Sequence, residues 1–317
     1  GLVGRLALNE VTGSPVTPSV VVPGNHDGVH LGHRALVARA RAFADERGLR
    51  VVALTFDPHP LAVLRPERAP TPLTTIARRT ELLLAAGVDR VEVAHFDAAY
   101  ARQTPSEWGT ERLVRQLGAR AIVIGPDYRF GAGRAGTPEL LRSLGLEVVE
   151  VAPVSEGGER VSSTRVREAL VAGDVRLARA LLDRPHELEG TVVEGQRRGR
   201  TIGFPTANLD PDPVLLPKDG VYAVVGRVVA RARDERLFLG MANLGTRPTF
   251  AAGRSIEAHF FGFEGDLYGR RLRLGFVDRL RDEQKFVSAA ALTLQLGADR
   301  VAALERLAST DARWSWL

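Results

Sequence analysis

From Val20 to Leu182 the chain alternates short apolar runs with amphipathic stretches of about 10 to 15 residues, a rhythm that restricts this half to a parallel sheet covered by helices. The runs are Val20–Val22, Val51–Phe56, Val91–Ala94, Ala121–Ile124 and Glu147–Val151. Nearly continuous apolar runs of this kind suit strands buried on both faces. Between them lie the helical patterns. Gly32–Glu46 is the first, and Thr75–Ala86 is closed by Gly87. A third opens on Thr104-Pro105-Ser106-Glu107, a capping box with proline at the first helical position, and should stop at Gly118. Thr137-Pro138 starts another that ends near Gly145, and Thr164–Val171 and Val175–Leu182 complete the half. In such a doubly wound α/β fold ligands bind beyond the carboxyl ends of the strands, which directs attention to the loops after Val22, Phe56 and Ile124.

After Arg184-Pro185 the rhythm changes to closely spaced β-like stretches: Thr191–Glu194, Val221–Val229, Leu237–Met241, Ile256–Phe263 and Arg271–Phe276. These predict an antiparallel barrel followed by one helix, Ser288–Leu307. The 317 residues thus divide into an expected α/β domain over 1–184 and a β domain over 185–317. The tail Ser309–Leu317 offers Trp314 and Trp316 for packing.

The absence of cysteine excludes disulfides, thiolate metal sites and cysteine nucleophiles, so any metal must take oxygen or histidine ligands. Only Lys218 and Lys285 of the 43 basic residues are lysines, a skew that follows genome composition more readily than function. The net charge of +5 is spread over both halves without a block or stripe, which argues against a nucleic-acid footprint and leaves small anionic ligands well accommodated. No apolar run reaches the roughly 20 residues of a membrane span. Gly1–Glu10 lacks the basic patch and apolar stretch of a secretory signal, so the expected setting is cytoplasmic, without a membrane.

The strongest local signal is Gly24-Asn25-His26-Asp27-Gly28-Val29-His30-Leu31-Gly32-His33, between the first strand and the first helix. Gly28 and Gly32 admit close backbone approach, and a helix start offers unpaired N–H groups to phosphate. His30 and His33, three residues apart, can face one ligand and stabilise charge on an attacked α-phosphate. Two other readings stay open here: histidines that only cap the helix, and a zinc site from His26, His30 and His33. Gly131-Ala132-Gly133-Arg134-Ala135-Gly136 spells a dinucleotide fingerprint but lies several residues beyond its strand and outside the first βα unit. Neither lysine lies in a Walker A loop.

In the second half, Gly199-Arg200-Thr201-Ile202-Gly203-Phe204-Pro205-Thr206-Ala207-Asn208-Leu209 places Thr206 and Asn208 two apart in an extended segment. Their oxygens then point the same way and suit a Mg²⁺ bridging phosphates, although such a stretch taken alone also reads as a turn. Glu257 interrupts an apolar strand pattern and fits a carboxylate base, against the plainer reading of a strand-edge glutamate.

The first block resembles the Gly-x-Phe-Asp-Gly-x-His-x-Gly-His signature of α/β nucleotidyltransferases, with His26 where the signature has Phe. Ser162-Ser163-Thr164-Arg165-Val166-Arg167 resembles that superfamily's second phosphate element. The resemblance implies adenylyl transfer from ATP, with Gly24, Asn25, Asp27, Gly28, His30, His33, Ser163, Thr164 and Arg167 on the nucleotide, and His30, His33 and Arg167 catalytic. Thr55-Phe56-Asp57-Pro58-His59-Pro60 and Gly125-Pro126-Asp127-Tyr128-Arg129-Phe130-Gly131 resemble the flavin-side loops of bacterial FAD synthetases. That implies flavin contacts from Phe56, Asp57, His59 and Asp127; Pro126-Asp127 departs from the acidic-Asn pair often found there. For Phe56 plain core packing is an equal reading.

Leu216–Tyr222, Asn243–Phe250, Ile256–His259 and Leu280–Phe286 follow Gly199–Leu209 in the order of riboflavin kinase. With the first half they are similar to the bifunctional riboflavin kinase/FAD synthetase family over nearly the whole chain. The resemblance implies ATP contacts from Gly199, Thr201, Phe204 and Thr206, metal ligation by Thr206 and Asn208, a catalytic Glu257 and a flavin contact from Arg281. Asp282 and Glu283 read as the beginning of the last helix. The substrates so implied are riboflavin, FMN and ATP. A kinase with an adenylylation site disabled by His26, and a non-catalytic flavin carrier, are the rival expectations.

Overall fold

The computed structural model describes residues 16–195, 203–229, 236–246 and 254–308. Gly199 and Thr201, the segment after Thr246, and the tryptophan tail lie outside them. Two compact units divide the chain, one of residues 1–25, 36–68 and 84–152, the other of 26–35, 69–83 and 153–317.

The first unit is built on five parallel strands, β1 (Ser19–Pro23), β2 (Arg50–Asp57), β3 (Arg90–His95), β4 (Ala119–Ile124) and β5 (Glu147–Glu150). Their order is β3-β2-β1-β4-β5, so the direction of winding reverses between β1 and β4. The apolar runs occupy the centre: Val20–Val22, Val51–Leu54 and Ala121–Val123 have no exposed surface. Helix α1 (Leu31–Arg47) follows β1. Short elements absent from the sequence expectation fill two loops: α2 (Pro60–Leu64) after β2 and α4 (Ala98–Ala101) after β3, the latter capped by Asp97. They are too short for an apolar period to show.

Helix α3 (Ile76–Ala85) lies where the periodicity places it. The capping box at Thr104 forms, with Glu107 N donating to Thr104 Oγ1 at 3.2 Å and Thr104 N to Glu107 Oε2 at 2.8 Å. The helix it opens is α only over α5 (Pro105–Glu107) and continues as a π-helix, Trp108–Gln116. Helix α6 (Pro138–Ser143) precedes β5.

In the second unit a small hairpin, β6 (Ser155–Glu156) and β7 (Glu159–Arg160), leads to α7 (Ser163–Ala172) and α8 (Val175–Leu182). The barrel then closes in the order β10-β11-β12-β9-β8-β13. Its strands are β8 (His186–Val193), β9 (Ala207–Pro211), β10 (Gly220–Val228), β11 (Phe238–Thr246), β12 (Arg254–Phe260) and β13 (Arg271–Arg281), every neighbouring pair antiparallel. Alternate residues such as Tyr222, Val224, Leu244, Ile256, Ala258 and Phe276 fill the interior, in one cluster with Leu170 of α7 and Leu181 of α8. The opposite set, Ala223, Val225, Met241 and Val277, packs outward against Ala303 and Leu307 of the last helix, α9 (Ala289–Ala308). That helix starts after Asp282 and Glu283 rather than at them. Their carboxylates instead accept from Arg279 (2.6 Å) and Asn243 (3.1 Å).

Candidate active sites

The histidine turn opens α1. Gly28 has φ 83°, and a Cβ there would meet Leu73 Cδ1 at 2.8 Å, so glycine answers both a conformational and a steric demand. The rings of His30 and His33 stack with centroids 3.7 Å apart and planes 16° from parallel. His26, fully buried, meets His33 edge-on at 5.0 Å. The sequence departure from Phe is thus accommodated by a ring packed against the pair. Burial, reinforced by His26, pulls the His30 pKa down to about 4, and burial with His30 and His26 holds His33 well below the usual histidine range. At neutral pH both are uncharged imidazoles, N–H donors without the hydration of a cation.

Asp27 follows His26 in sequence but does not face outward. The residue is 2% exposed, and its carboxylate accepts from Leu73 N, Thr74 N, Thr74 Oγ1, Arg79 Nη2 and Arg167 Nη2. This differs from the sequence expectation of an ATP contact: the side chain's hydrogen-bonding capacity is taken by protein donors. It instead orients Arg167, whose Nε also donates to Thr71 O at 2.9 Å. Ser162 caps α7, Ser163 Oγ donates to Asp27 O at 2.8 Å, and Thr164 is exposed on the first turn. The two phosphate elements read from sequence are therefore joined through Asp27. Arg79, which the sequence reading missed, completes that junction.

A cavity of about 850 Å³ opens at the carboxyl end of the parallel sheet. Gly24 and Asn25, expected on the nucleotide, line it together with Phe56, His59 and Asp127 of the expected flavin side. Asp57 does not: its side chain is exposed and its carbonyl accepts from Phe96 N. Phe96, Tyr100, Trp108, Tyr128 and Phe130 add an aromatic wall, and Arg65, Arg68, Arg129 and Arg134 supply positive charge. Phe56 meets Phe96 and Tyr100 edge-on at 5.7 and 5.9 Å, and Trp108 Nε1 donates to Tyr100 OH at 2.7 Å. His59 Nδ1 accepts from Leu61 N at 3.1 Å while its Nε2 lies 3.0 Å from the Asn25 side-chain amide. A broad cavity with flat apolar walls and several guanidinium groups suits a planar aromatic carrying phosphate.

The third site lies on the outer face of the barrel. Glu257 on β12 is the direct cross-strand partner of Asn208 on β9 and of Asn243 on β11, so the three side chains share one face. The Asn208 side chain packs over Gly195, where a Cβ would fall 2.0 Å from its Nδ2. The approach to Thr206 is fixed by His259, whose Nδ1–H donates to Pro205 O at 2.8 Å and whose ring lies 5.1 Å from that of Phe204. Arg281 is committed elsewhere, to a chelating pair with the buried Asp299 of α9 at 2.7 to 3.1 Å, and stacks near Phe286. The sequence expected it on flavin; no local pattern marks Asp299, 18 residues further on, as its partner.

A histidine turn that follows the first strand of a parallel sheet in the chain, together with an Asn–Glu face on a closed antiparallel barrel, defines a two-module enzyme of phosphate chemistry. The FAD synthetase family model matches residues 14–165 and the riboflavin kinase model residues 182–307. The bifunctional riboflavin kinase/FMN adenylyltransferase of Escherichia coli K12 is 37% identical over 94% of this chain and 96% of its own. That of Pseudomonas fluorescens is 40% identical over 92% and 94%. The chain belongs to the bifunctional riboflavin kinase/FMN adenylyltransferase family. A Streptococcus pneumoniae structure described as a macrolide-efflux protein is similar in fold, with a TM-score of 0.85 and 34% identity over 92% of this chain and 95% of that one. Among the described residues here, no helix is long and apolar enough to cross a membrane.

Proposed function

We propose that this chain phosphorylates riboflavin to FMN on the outer face of its barrel and adenylylates FMN to FAD at the histidine turn, with 1–184 and 185–317 as the functional division. The observation that carries the reading is the register of β12: it sets Glu257 beside Asn208, a base beside a metal-type oxygen, in a chain that also stacks His30 on His33.

In the kinase step Glu257 takes the proton of a ribityl hydroxyl as that oxygen attacks the γ-phosphorus of ATP, and ADP leaves. Such a base contributes roughly 10²- to 10⁴-fold. Thr206 and Asn208 offer a hydroxyl and a carbonyl, hard oxygens that fit Mg²⁺. No group of three or more His, Asp or Glu among the described residues makes a metal cage. The donor set therefore suits an ion shared between a few protein oxygens and the triphosphate, where it would neutralise phosphate charge.

In the adenylyl step the FMN phosphate is already an anionic nucleophile, so positioning and charge neutralisation suffice. Its oxygen bonds to the α-phosphorus and pyrophosphate leaves. His30 and His33 donate to phosphate oxygens, Arg167 is oriented by Asp27, and the aromatic cavity lined by Phe56 and Tyr128 takes the flavin. The buried fit of His26 beside His33 supports a working site rather than one disabled by the departure from Phe. The reading keeps the cytoplasmic setting expected from the sequence.

The test is to incubate the protein with riboflavin, ATP and Mg²⁺ and resolve the flavins by chromatography. FMN and FAD should both appear. Glu257→Gln should abolish FMN formation and spare FAD made from supplied FMN, and His33→Ala should stop FAD alone. Loss of both activities in either variant would contradict the division of labour.

A further inference from the structure

The turn that carries His30 is strained, and part of what holds it comes from the other half of the sequence. His26, Gly28 and Val29 have φ of 49°, 83° and 43°. A left-handed conformation is unfavourable for a β-branched residue such as Val29 and persists only where the surroundings over-determine it. One side of the turn is fixed by Asp27, through the α3 segment and Arg167. The other is fixed by Arg184, from the connection between α8 and β8.

The Arg184 guanidinium is buried, and donates through Nη2 to Gly28 O at 2.7 Å and through Nη1 to Val29 O at 3.4 Å and Leu182 O at 3.3 Å. Glu187, the second residue of β8, lies 3.7 Å from its Nε. Arg78 of α3 grips Glu187 with two bonds, at 2.9 and 2.8 Å. Its neighbour Arg79 donates to Asp27 at 3.0 Å. A ring of buried charge thus runs from the turn through α3 into the first barrel strand and back to the turn. All of it lies within the second unit. Burial pushes Arg184 down to about 10 despite Glu187, so the site keeps a guanidinium where desolvation opposes one. A planar fork that reaches three carbonyls is what that position requires, and a lysine ammonium cannot span them.

We propose that Arg184, held by Glu187, is a positioning residue for adenylyl transfer, fixing the carbonyls of Gly28 and Val29 so that His30 and His33 keep their stacked placement. The proposal rests on the reading of His30 and His33 as the adenylylation pair. Its consequence is that the first barrel strand, which belongs by sequence to the kinase, supplies part of the scaffold of the other site.

The test compares the full-length wild type with Arg184→Met, Arg184→Lys and His33→Ala, measuring FAD formation from FMN and FMN formation from riboflavin in the same preparations. Misplacement by about 1 Å is worth about 10²-fold in rate, so Arg184→Met should lower kcat for FAD by up to that factor. KM for FMN should hardly move, and FMN formation should persist. Arg184→Lys, which keeps the charge opposite Glu187 and reaches fewer carbonyls, should recover part of the lost kcat. A wild-type kcat for FAD in Arg184→Met beside an inactive His33→Ala overturns the clamp alone. Parallel loss of both activities in the Met and Lys variants overturns it as well, because Arg184 would then only support the fold. Undiminished FAD formation by His33→Ala overturns the underlying site reading, and the clamp with it.

Discussion

Replacing Asp27 by alanine tests whether the histidine turn is held by buried charge. The carboxylate receives two guanidinium groups, two backbone amides and a hydroxyl, and 2% of the residue is exposed. Alanine leaves Arg79, 5% exposed, without this counter-charge and removes the acceptor of the Leu73 and Thr74 amides. Breaking a buried ion pair from one side costs about 3–5 kcal/mol, and stranded amides add to it less than additively. With about 4 kcal/mol taken from a margin of about 5–15, and about 2–4 °C per kcal/mol, the melting temperature should fall by about 8–16 °C. Asp27→Asn keeps shape and one acceptor, so it should fall less, and the difference between the two variants reports the charge. Scanning calorimetry at neutral pH measures both, with FAD formation followed below the transition. A melting temperature for Asp27→Ala equal to that of wild type would refute the clamp around this carboxylate.

Three further outcomes follow from the same geometry. Gly195→Ala places a Cβ 2.0 Å from Asn208 Nδ2 and should depress FMN formation while sparing FAD made from supplied FMN; an unaltered kinase rate would show that Asn208 is not needed where it lies. Phe56→Ala should raise the KM for FMN by about tenfold, since an aromatic face against a flat π-system is worth roughly 1–3 kcal/mol, and a KM shared with wild type would take Phe56 off the flavin. His30 and His186 are each lowered to about 4 from 6.5 by burial. The unfolded chain therefore binds protons that the native state refuses between those values. Stability should be full above pH 6.5 and fall as pH drops toward 4, by about 3 kcal/mol for each histidine. Urea midpoints at pH 7.5 and 5 measure this, and equal midpoints would contradict it.

The sequence by itself determined the kinds of element and their order. Runs such as Val20–Val22 suit buried strands, Thr104–Glu107 caps a helix by local chemistry, and the loss of helical period after Pro185 marks the barrel, because period and capping are written within a few neighbouring residues. It also singled out the histidine turn as a candidate site, since the glycines and histidines of that turn carry their meaning locally. Tertiary structure decided which side chains are available and which are consumed. Asp27 and Arg281 both read as ligand contacts, yet Leu73, Thr74, Arg79 and Arg167 claim the first and Asp299 claims the second. The aromatic wall of Phe96, Tyr100 and Trp108 and the partnership of Glu257 with Asn208 likewise appear only when strands are paired and loops are brought together. Burial makes a charge seek its partner at any sequence distance, from 46 residues for Asp27 and Leu73 to 156 for Gly28 and Arg184, and no local pattern encodes that choice.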